Sequence, residues 1–430
     1  MAVSNTLLSP TIIAKEALRL LKNNLVMGNL VYRGYETEFP GMPKVGGSVQ
    51  IRKPVKFNVT KSRIRVTSTI TEQYITLTVA TQAHISWKFA MVDMTLTIEE
   101  YSNRYIRPAA AALANQVDAD LCGLYEDVPN SVVESTGYVT PHTFMVLGKA
   151  MQKMDEEAVP PDDRVVVFNP AAHWAFANAL SNWNFKEGGE MALRKGHLGR
   201  IANADIYMDQ NIKTHTVGQF ATDGATDSDF VVWSTADSAA GGLPTGVGVD
   251  VDANAAILIG GFNHSSGVNA GLKQGDSFTI GACFAVNPMS GESTGALRQF
   301  LCTAHVPVTD STTGIPILQT ISPQMIHTGP YKTVDTIPQL AAALTFVGDQ
   351  GGSYPMNLAF HKNAFALVMV PLEAPVSEWG ASESEDGISI RVVKSYDIDS
   401  DQEIIRMDIL YGVKTIYPEL ATRIVGATAT

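Results

Sequence analysis

Two period-two runs, separated by a charged linker, set the strongest constraint on what this chain folds into. In "SVQIRKPVKFNV", Val49, Ile51, Val55, Phe57 and Val59 alternate with Gln50, Arg52, Lys56 and Asn58. In "YITLTVATQAHISWKF", Ile75, Leu77 and Val79 alternate with Thr76, Thr78 and Ala80. β-Branched residues at period two predict half-buried strands. Joined by "TKSRIRVTSTITEQ", the runs predict a long hairpin between Gly46 and Met94. A two-stranded hairpin is marginal alone in water. It therefore needs a partner surface, in its own chain or in another.

The hairpin is also basic. Lys44, Arg52, Lys53, Lys56, Lys61, Arg63 and Arg65 lie together with no acid between Glu38 and Glu72. Yet the chain holds 31 Lys plus Arg against 43 Asp plus Glu, a net charge of -12. Wrapping nucleic acid tightly relies on many cations that neutralise phosphates, so the balance argues against it and leaves only a local patch. Single-strand binding also calls for aromatics beside the charges. From Lys44 to Ser68 the only aromatic is Phe57. Acids gather late instead: Glu373, Glu378, Glu383, Glu385 and Asp386 occur with no base between Lys362 and Arg391. Arg52, Lys53, Lys56, Lys61, Arg63 and Arg65 are thus candidates to meet Glu378, Glu383, Glu385 and Asp386, within one subunit or between neighbours. The plainer alternative is two separately solvated surfaces. At exposed sites each ion pair is worth about 0–1 kcal/mol.

Around the hairpin the chain alternates helix and strand. Pro10 to about Asn23 predicts a helix capped by Ser9, with Ile13, Ala17, Leu20 and Leu21 on one face. A helix this short needs another surface and reads as an arm. Thr97 to Asp127 predicts the longest helix, with a Thr97–Glu100 capping box. Its stripe is Ile106, Ala110, Leu113, Val117, Leu121 and Leu124. If continuous it is about 45 Å long, and Pro108 either kinks it or starts its main part. Helices from Thr140-Pro141 (Phe144, Leu147, Met151, Met154) and Asn169-Pro170 (Trp174, Leu180) flank a buried strand in "DRVVVFN". That is an α/β or α+β unit. From about Lys213 to Thr333, Gly, Thr, Ser, Asp and strand runs predict a β-rich insert. Strands resume to the end. At 430 residues, two or three domains are expected.

The search for chemistry is negative. No GxSxG, HExxH, Walker loop or GxGxxG after a strand occurs. Nine histidines are scattered; His84, His142, His173 and His361 have no metal-like partner one helical turn away and read as structural. "DIDSDQE", Asp397 to Glu403, lacks the central Gly and terminal Glu of a calcium loop and reads as a hairpin turn. Asp155, Glu156 and Glu157 end a helix and are expected to be exposed. Cys122, Cys283 and Cys302 have no CxxC spacing and read as buried free thiols. The N-terminus lacks signal-peptide character, no apolar run suits a membrane span, and the sequons at Asn58 and Asn263 carry little weight. No cofactor or metal is expected.

Several segments resemble one family. "NTLLSPTIIAKEALRLLKNNL", "RYIRPAAAALANQVD", "LKQGDSFTIGACFAVNP", "NLAFHKNAFAL" and "LYGVKTIYPELATRI" are similar to coat proteins of short-tailed phages of the Salmonella-phage type. The resemblance implies the α+β fold of tailed-phage and herpesvirus-type major capsid proteins, with an inserted β-barrel-like domain. It implies an N-terminal arm at 1–35, an extended loop at 36–95, and a peripheral domain at 96–139 and 387–430. An axial domain would take 140–212 and 333–386, and the insert 213–332. In relatives the insert supports folding and two-fold contacts, for which the long Asp- and Gly-rich loop Phe220 to Ala256 is the candidate here. The implied partners are other copies in hexamers and pentamers, a scaffolding protein and a portal protein, with packaged DNA inside the shell and no membrane. The implied location is the virion capsid, assembled in the host cytoplasm. A capsid subunit thus stands first, a nucleic-acid-binding protein using the basic hairpin second, and a hydrolase on an α/β body last.

Overall fold

Pro10, which has no N–H to lose, opens the first described element of the chain, α1 (Pro10–Asn24). The computed structural model describes residues 10–35, 46–57, 61–65, 72–90, 102–134, 140–181, 198–219, 230–232, 256–260, 271–307, 317–339, 341–373, 375, 379–397 and 402–426. Ser9, Val59, Thr97, Glu100, Glu378 and almost all of the 220–256 loop lie outside these residues.

After α1 come α2 (Met27–Leu30), β1 (Gly47–Arg52), β2 (Tyr74–Val79) and β3 (Thr81–Ala90). A π turn leads into α3 (Arg107–Gly123) and a 3-10 turn (Leu124–Asp127) leaves it. Then follow β4 (Ser131–Val133), α4 (Phe144–Glu156), β5 (Arg164–Phe168), α5 (Pro170–Ser181), β6 (Arg200–Ile201), β7 (Ala204–Met208) and β8 (Thr214–Thr216). The β-rich stretch holds β9 (Val231–Val232), β10 (Ala256–Gly260), β11 (Gly271–Leu272), β12 (Ser277–Val286), β13 (Ser293–Cys302), β14 (Val306–Pro307), β15 (Ile317–Ser322) and β16 (Leu344–Phe346). The chain ends with β17 (Ser353–Pro355), β18 (Asn357–His361), β19 (Phe365–Met369), β20 (Trp379–Glu385), β21 (Ile388–Asp397), β22 (Gln402–Thr415) and β23 (Ala421–Val425). No described helix is long and apolar enough to cross a membrane.

The chain divides into two compact units. The first comprises the described residues of Met1–Lys53, Tyr74–Cys122 and Phe365–Ile416. Its sheet runs β19-β22-β21-β20, and β3 pairs with β22 from Gln402↔Ala90 to Tyr411↔Thr81. α1 buries Ile13, Ala14, Ala17, Leu18, Leu20 and Leu21 and packs on β20 and β21. The partner surface that this short helix requires is thus supplied by its own chain. Ile106, at the end of the π turn, and Ala110, Leu113, Val117 and Leu121 of α3 are buried, while Leu124 is half-buried in the 3-10 turn. Pro108 stands at the second position of α3, so it starts the main helix rather than kinking it. The helix is therefore about 26 Å long rather than 45 Å.

The hairpin forms, but shorter than its alternation suggests. β1 and β2 pair antiparallel from Gly47↔Val79 to Arg52↔Tyr74, with Ile51, Leu77 and Val79 buried. Val55 and Phe57 lie outside any strand, because Pro54 offers no N–H to continue the ladder. The second run is also two strands, and β3 pairs with β22 instead of with the first run. The ribbon rests on β22 at Gly412. A Cβ there would fall 2.4 Å from the Thr78 carbonyl oxygen, so only glycine permits the approach.

The second unit holds the described residues of Pro54–Gln73, Gly123–Ala364 and Tyr417–Thr430. One six-stranded sheet runs β4-β23-β18-β5-β7-β6. β5 pairs parallel to β7 and β4 parallel to β23, whereas β18 is antiparallel to β5 and β23. All five residues of β5 are buried, as its continuous apolar run predicts. α4 and α5 contribute Leu147, Met151, Met154, Ala172 and Phe176 to its core. Trp174 is not a core residue, being 59% exposed; Phe176, stacked on Phe168 at 4.6 Å, faces inward in its place. The second six-stranded sheet is β16-β12-β13-β15-β10-β9. Its strands come from the β-rich stretch between Val231 and Ser322 and from Leu344–Phe346.

Candidate subunit-contact surfaces

The basic side chains follow from where β1 stops. Arg52 ends the strand on its exposed face and Lys53 is half-buried. Lys56, Lys61, Arg63 and Arg65 are exposed beyond it. Phe57 (66% exposed) and Ile64 (79%) stand among them, so this segment carries apolar as well as cationic groups. One contact ties it down: the Lys56 backbone N–H points to the Tyr331 hydroxyl at 3.5 Å.

The acidic candidates stand on β20 and its turn. Asp386 (φ 52°) and Gly387 (φ 75°) form the two-residue turn to β21, a position that favours such residues. Glu383 is half-buried on β20, while Glu385 and Asp386 are exposed. Lys22, in the last turn of α1, donates to Asp386 and lies 3.5 Å from Glu385. That hydrogen bond raises the Lys22 pKa and holds the Asp386 carboxyl below its ordinary range. The structure therefore joins Glu385 and Asp386 to a cation of their own chain that the sequence reading did not consider.

Other polar groups were not legible as partners. Glu157, expected at an exposed helix end, is buried and ion-paired to the buried Arg298 of β13. Two charges taken from water cost several kcal/mol each unless paired, which accounts for the pairing. Asp155, in contrast, keeps an exposed side chain and accepts from Arg164 at 2.6 Å. Lys153 nearby has its pKa lowered by burial. The carboxylate of Glu134 accepts the N–H groups of His142 and Thr143, the two residues ahead of α4, at 3.0 Å each. That helix begins at Phe144 rather than at Thr140-Pro141.

A buried chain links Tyr125, His215 and Asp276. The Tyr125 hydroxyl lies 3.2 Å from His215 Nδ1, and His215 Nε2 lies 2.8 Å from Asp276 Oδ1. A neutral histidine satisfies both contacts, with Nε2–H donating to Asp276 and Nδ1 accepting from Tyr125. Burial pushes the Tyr125 pKa up to about 12. Arg423 runs alongside, donating to the Gly275 carbonyl at 2.6 Å and to Ser277; burial lowers its pKa to about 10. Every member is enclosed, so the arrangement braces the second unit and offers substrate no access. Of the histidines singled out earlier, His84 is exposed on β3, His142 approaches Glu134 at 3.5 Å, His173 is buried, and His361 accepts from Asn363 N–H at 3.2 Å. Asp397 and Gln402 close the β21–β22 hairpin, as the rejected calcium loop implied. Cys122, Cys283 and Cys302 are buried free thiols.

Among solved structures, a chain of Mycobacterium phage Che8 aligns over 93% of this chain and 90% of its own, at 15% identity and a TM-score of 0.46. The capsid of Ralstonia phage GP4 aligns over 99% and 92%, at 9% identity and a TM-score of 0.44. The capsid of cyanophage P-SCSP1u aligns over 90% and 86%, at 12% identity and a TM-score of 0.43. The chain has no match among curated proteins. The family model described as "P22 coat protein - gene protein 5" matches residues 1–426. With that match over nearly its whole length, the chain belongs to the P22 coat protein family and is a major capsid protein of the tailed-phage type, a subunit of an icosahedral shell.

Proposed function

We propose that copies of this chain assemble as hexamers and pentamers around packaged double-stranded DNA, without sequence-specific contact to it and without catalysis. The observation that carries this reading is the family match over residues 1–426. The arm (1–35), extended loop (36–95), split peripheral and axial domains and insert (213–332) serve as contact elements of that shell. Arg52, Lys53, Lys56, Lys61, Arg63 and Arg65 meet acids of a neighbouring copy, with Glu378, Glu383, Glu385 and Asp386 as the candidates. The exposure of Arg52, Lys56, Lys61, Arg63, Arg65, Glu385 and Asp386 supports the reading, since many weak rim contacts under closed symmetry sum to a strong assembly. A scaffolding protein guides assembly in the host cytoplasm and a portal protein occupies one vertex.

Electron microscopy of the expressed chain, with and without a scaffolding partner, tests this. Closed icosahedral particles are expected. Only monomers and dimers under both conditions would overturn it, and salt-steep binding of those species to free DNA would favour the nucleic-acid reading instead.

A further inference from the structure

α4 and α5 leave an open cleft of ≈ 680 Å³ between them, in the size range of ligand pockets. Phe144, Met145, Phe176 and Ala179 give it apolar walls, and His142, Thr143, Lys149 and Gln152 supply its polar groups; no acid lines it. Met145 is 69% exposed at the rim.

Gly148 lies mid-helix on this cleft. Glycine inside a helix costs about 1 kcal/mol relative to alanine. A Cβ built at Gly148 would meet nothing within 4 Å. Packing inside the chain therefore does not require a glycine there. A side chain entering the cleft from outside does, because any residue at 148 would occupy its space.

Charge decides which visitor fits. Phe57 and Ile64 are exposed, but they sit among Lys56, Lys61, Arg63 and Arg65 and would bring cations to Lys149. Trp379 carries Lys394 over its ring at 5.8 Å. Met289, at the β12–β13 turn, is the most exposed large apolar side chain among the described residues, at 84%, and Glu292 follows three residues on. The turn is stiff: Asn287 Oδ1 accepts the N–H groups of Met289 (2.9 Å) and Ser290 (3.2 Å), and the Gly291 N–H donates to the Asn287 carbonyl (2.9 Å). A preorganised apex loses little freedom on docking, and methionine adapts to irregular apolar gaps. Met289 does not line the cleft of its own chain.

We propose that the α4–α5 cleft around Gly148 receives the Met289 apex of a second copy, with Lys149 of one copy facing Glu292 of the other. The contact is head-to-tail, the kind that closes rings. It rests on the shell-forming reading.

Oxidation of particles of the full chain carrying both Gly148→Cys and Met289→Cys tests it. A ladder of disulfide-linked multimers is expected, absent from either single variant; the native thiols are common to all three. In parallel, Gly148→Leu, whose Cβ meets nothing within 4 Å, removes a mid-helix glycine and is expected to keep the monomer at least as stable to heat, yet to lower particle yield about ten-fold or more. Particles that form without any ladder overturn the inference, as does a wild-type yield from Gly148→Leu. Lowered yield without a ladder would assign the cleft to another occupant and overturn it too. If the unaltered chain made no particles at all, the shell-forming reading would fail as well, so the two failures are distinguishable.

Discussion

Asp118 fixes the start of the chain with one carboxylate. It is 2% exposed, and its two oxygens accept the N–H groups of Val26 and Gly28 at 2.8 Å each. Val26 immediately precedes α2 and Gly28 is its second residue, positions where backbone N–H groups have no helical partner. Removing the acceptor strands two backbone donors, and each unsatisfied buried group costs about 1–3 kcal/mol. Asp118→Ala is therefore expected to destabilise the subunit by about 3 kcal/mol in urea unfolding, and Asp118→Asn, which keeps one acceptor, by less. A loss below about 0.5 kcal/mol in both would show that the turn holds without it. The sequence did contain a signal for this residue. Asp118 follows Ala114 by four and precedes Leu121 by three, so an acid stood on the apolar face of a helix. Glu157 carried no such mark. Its partner Arg298 lies 141 residues away, and nothing local announces a contact of that range.

At the scale of elements, the period-two and helical patterns were legible where local chemistry governs. Pro10, the β1–β2 ribbon, the buried β5 and the Asn169-Pro170 helix start all follow from their own residues. In the last, Asn169 Oδ1 caps the helix by accepting the Ala172 N–H at 2.9 Å. The pattern misled where a tertiary partner or a proline overrode it. β3 continues the alternation of β2 but is claimed by β22, and Pro54 cuts the first run before Val55. The consequence is functional, because Lys56, Lys61, Arg63 and Arg65 stand beyond the ladder rather than on it. Cations on such an exposed segment contribute little to folding the subunit, and on the proposed assembly reading their value lies in contacts between copies. Reversing two of them, Arg63→Glu with Arg65→Glu, is expected to leave the melting temperature of the monomer within about 1 °C while reducing particle yield several-fold; exposed substitutions typically change stability by less than about 0.5 kcal/mol. Unchanged particle yield would return these charges to the role of a solvated surface.

Across the whole molecule, the buried titratable groups set an alkaline limit on stability. Burial pushes the Cys283 thiol up to about 12 and the Cys302 thiol well above its ordinary 9.0. Tyr125 rises to about 12, and Tyr411, which donates to Asp120 at 2.5 Å, is raised too. The unfolded chain releases these protons near pH 9 to 10, whereas the folded chain retains those of Tyr125 and Cys283 until about 12 and also holds those of Cys302 and Tyr411 beyond their ordinary range. Between those limits the folded state binds more protons, so its stability must fall as pH rises. Lys153 and Arg423 act the other way, since their pKa values are lowered by burial and the cost of holding their charge is relieved at high pH. With Tyr417, whose pKa burial also raises, five thiols and phenols therefore oppose two cations, and Tyr411 lies in the first unit while the other four lie in the second, so neither unit escapes. The melting temperature of the unassembled subunit, measured under reducing conditions, is expected to stay level to about pH 8.5 and to drop steadily from pH 9 to 11. Cys302→Ala is expected to start lower, because it opens a cavity, but to fall less steeply between pH 9 and 10 for want of one thiol. A melting temperature that held or rose to pH 11 would mean that the two buried cations outweigh the thiols and phenols.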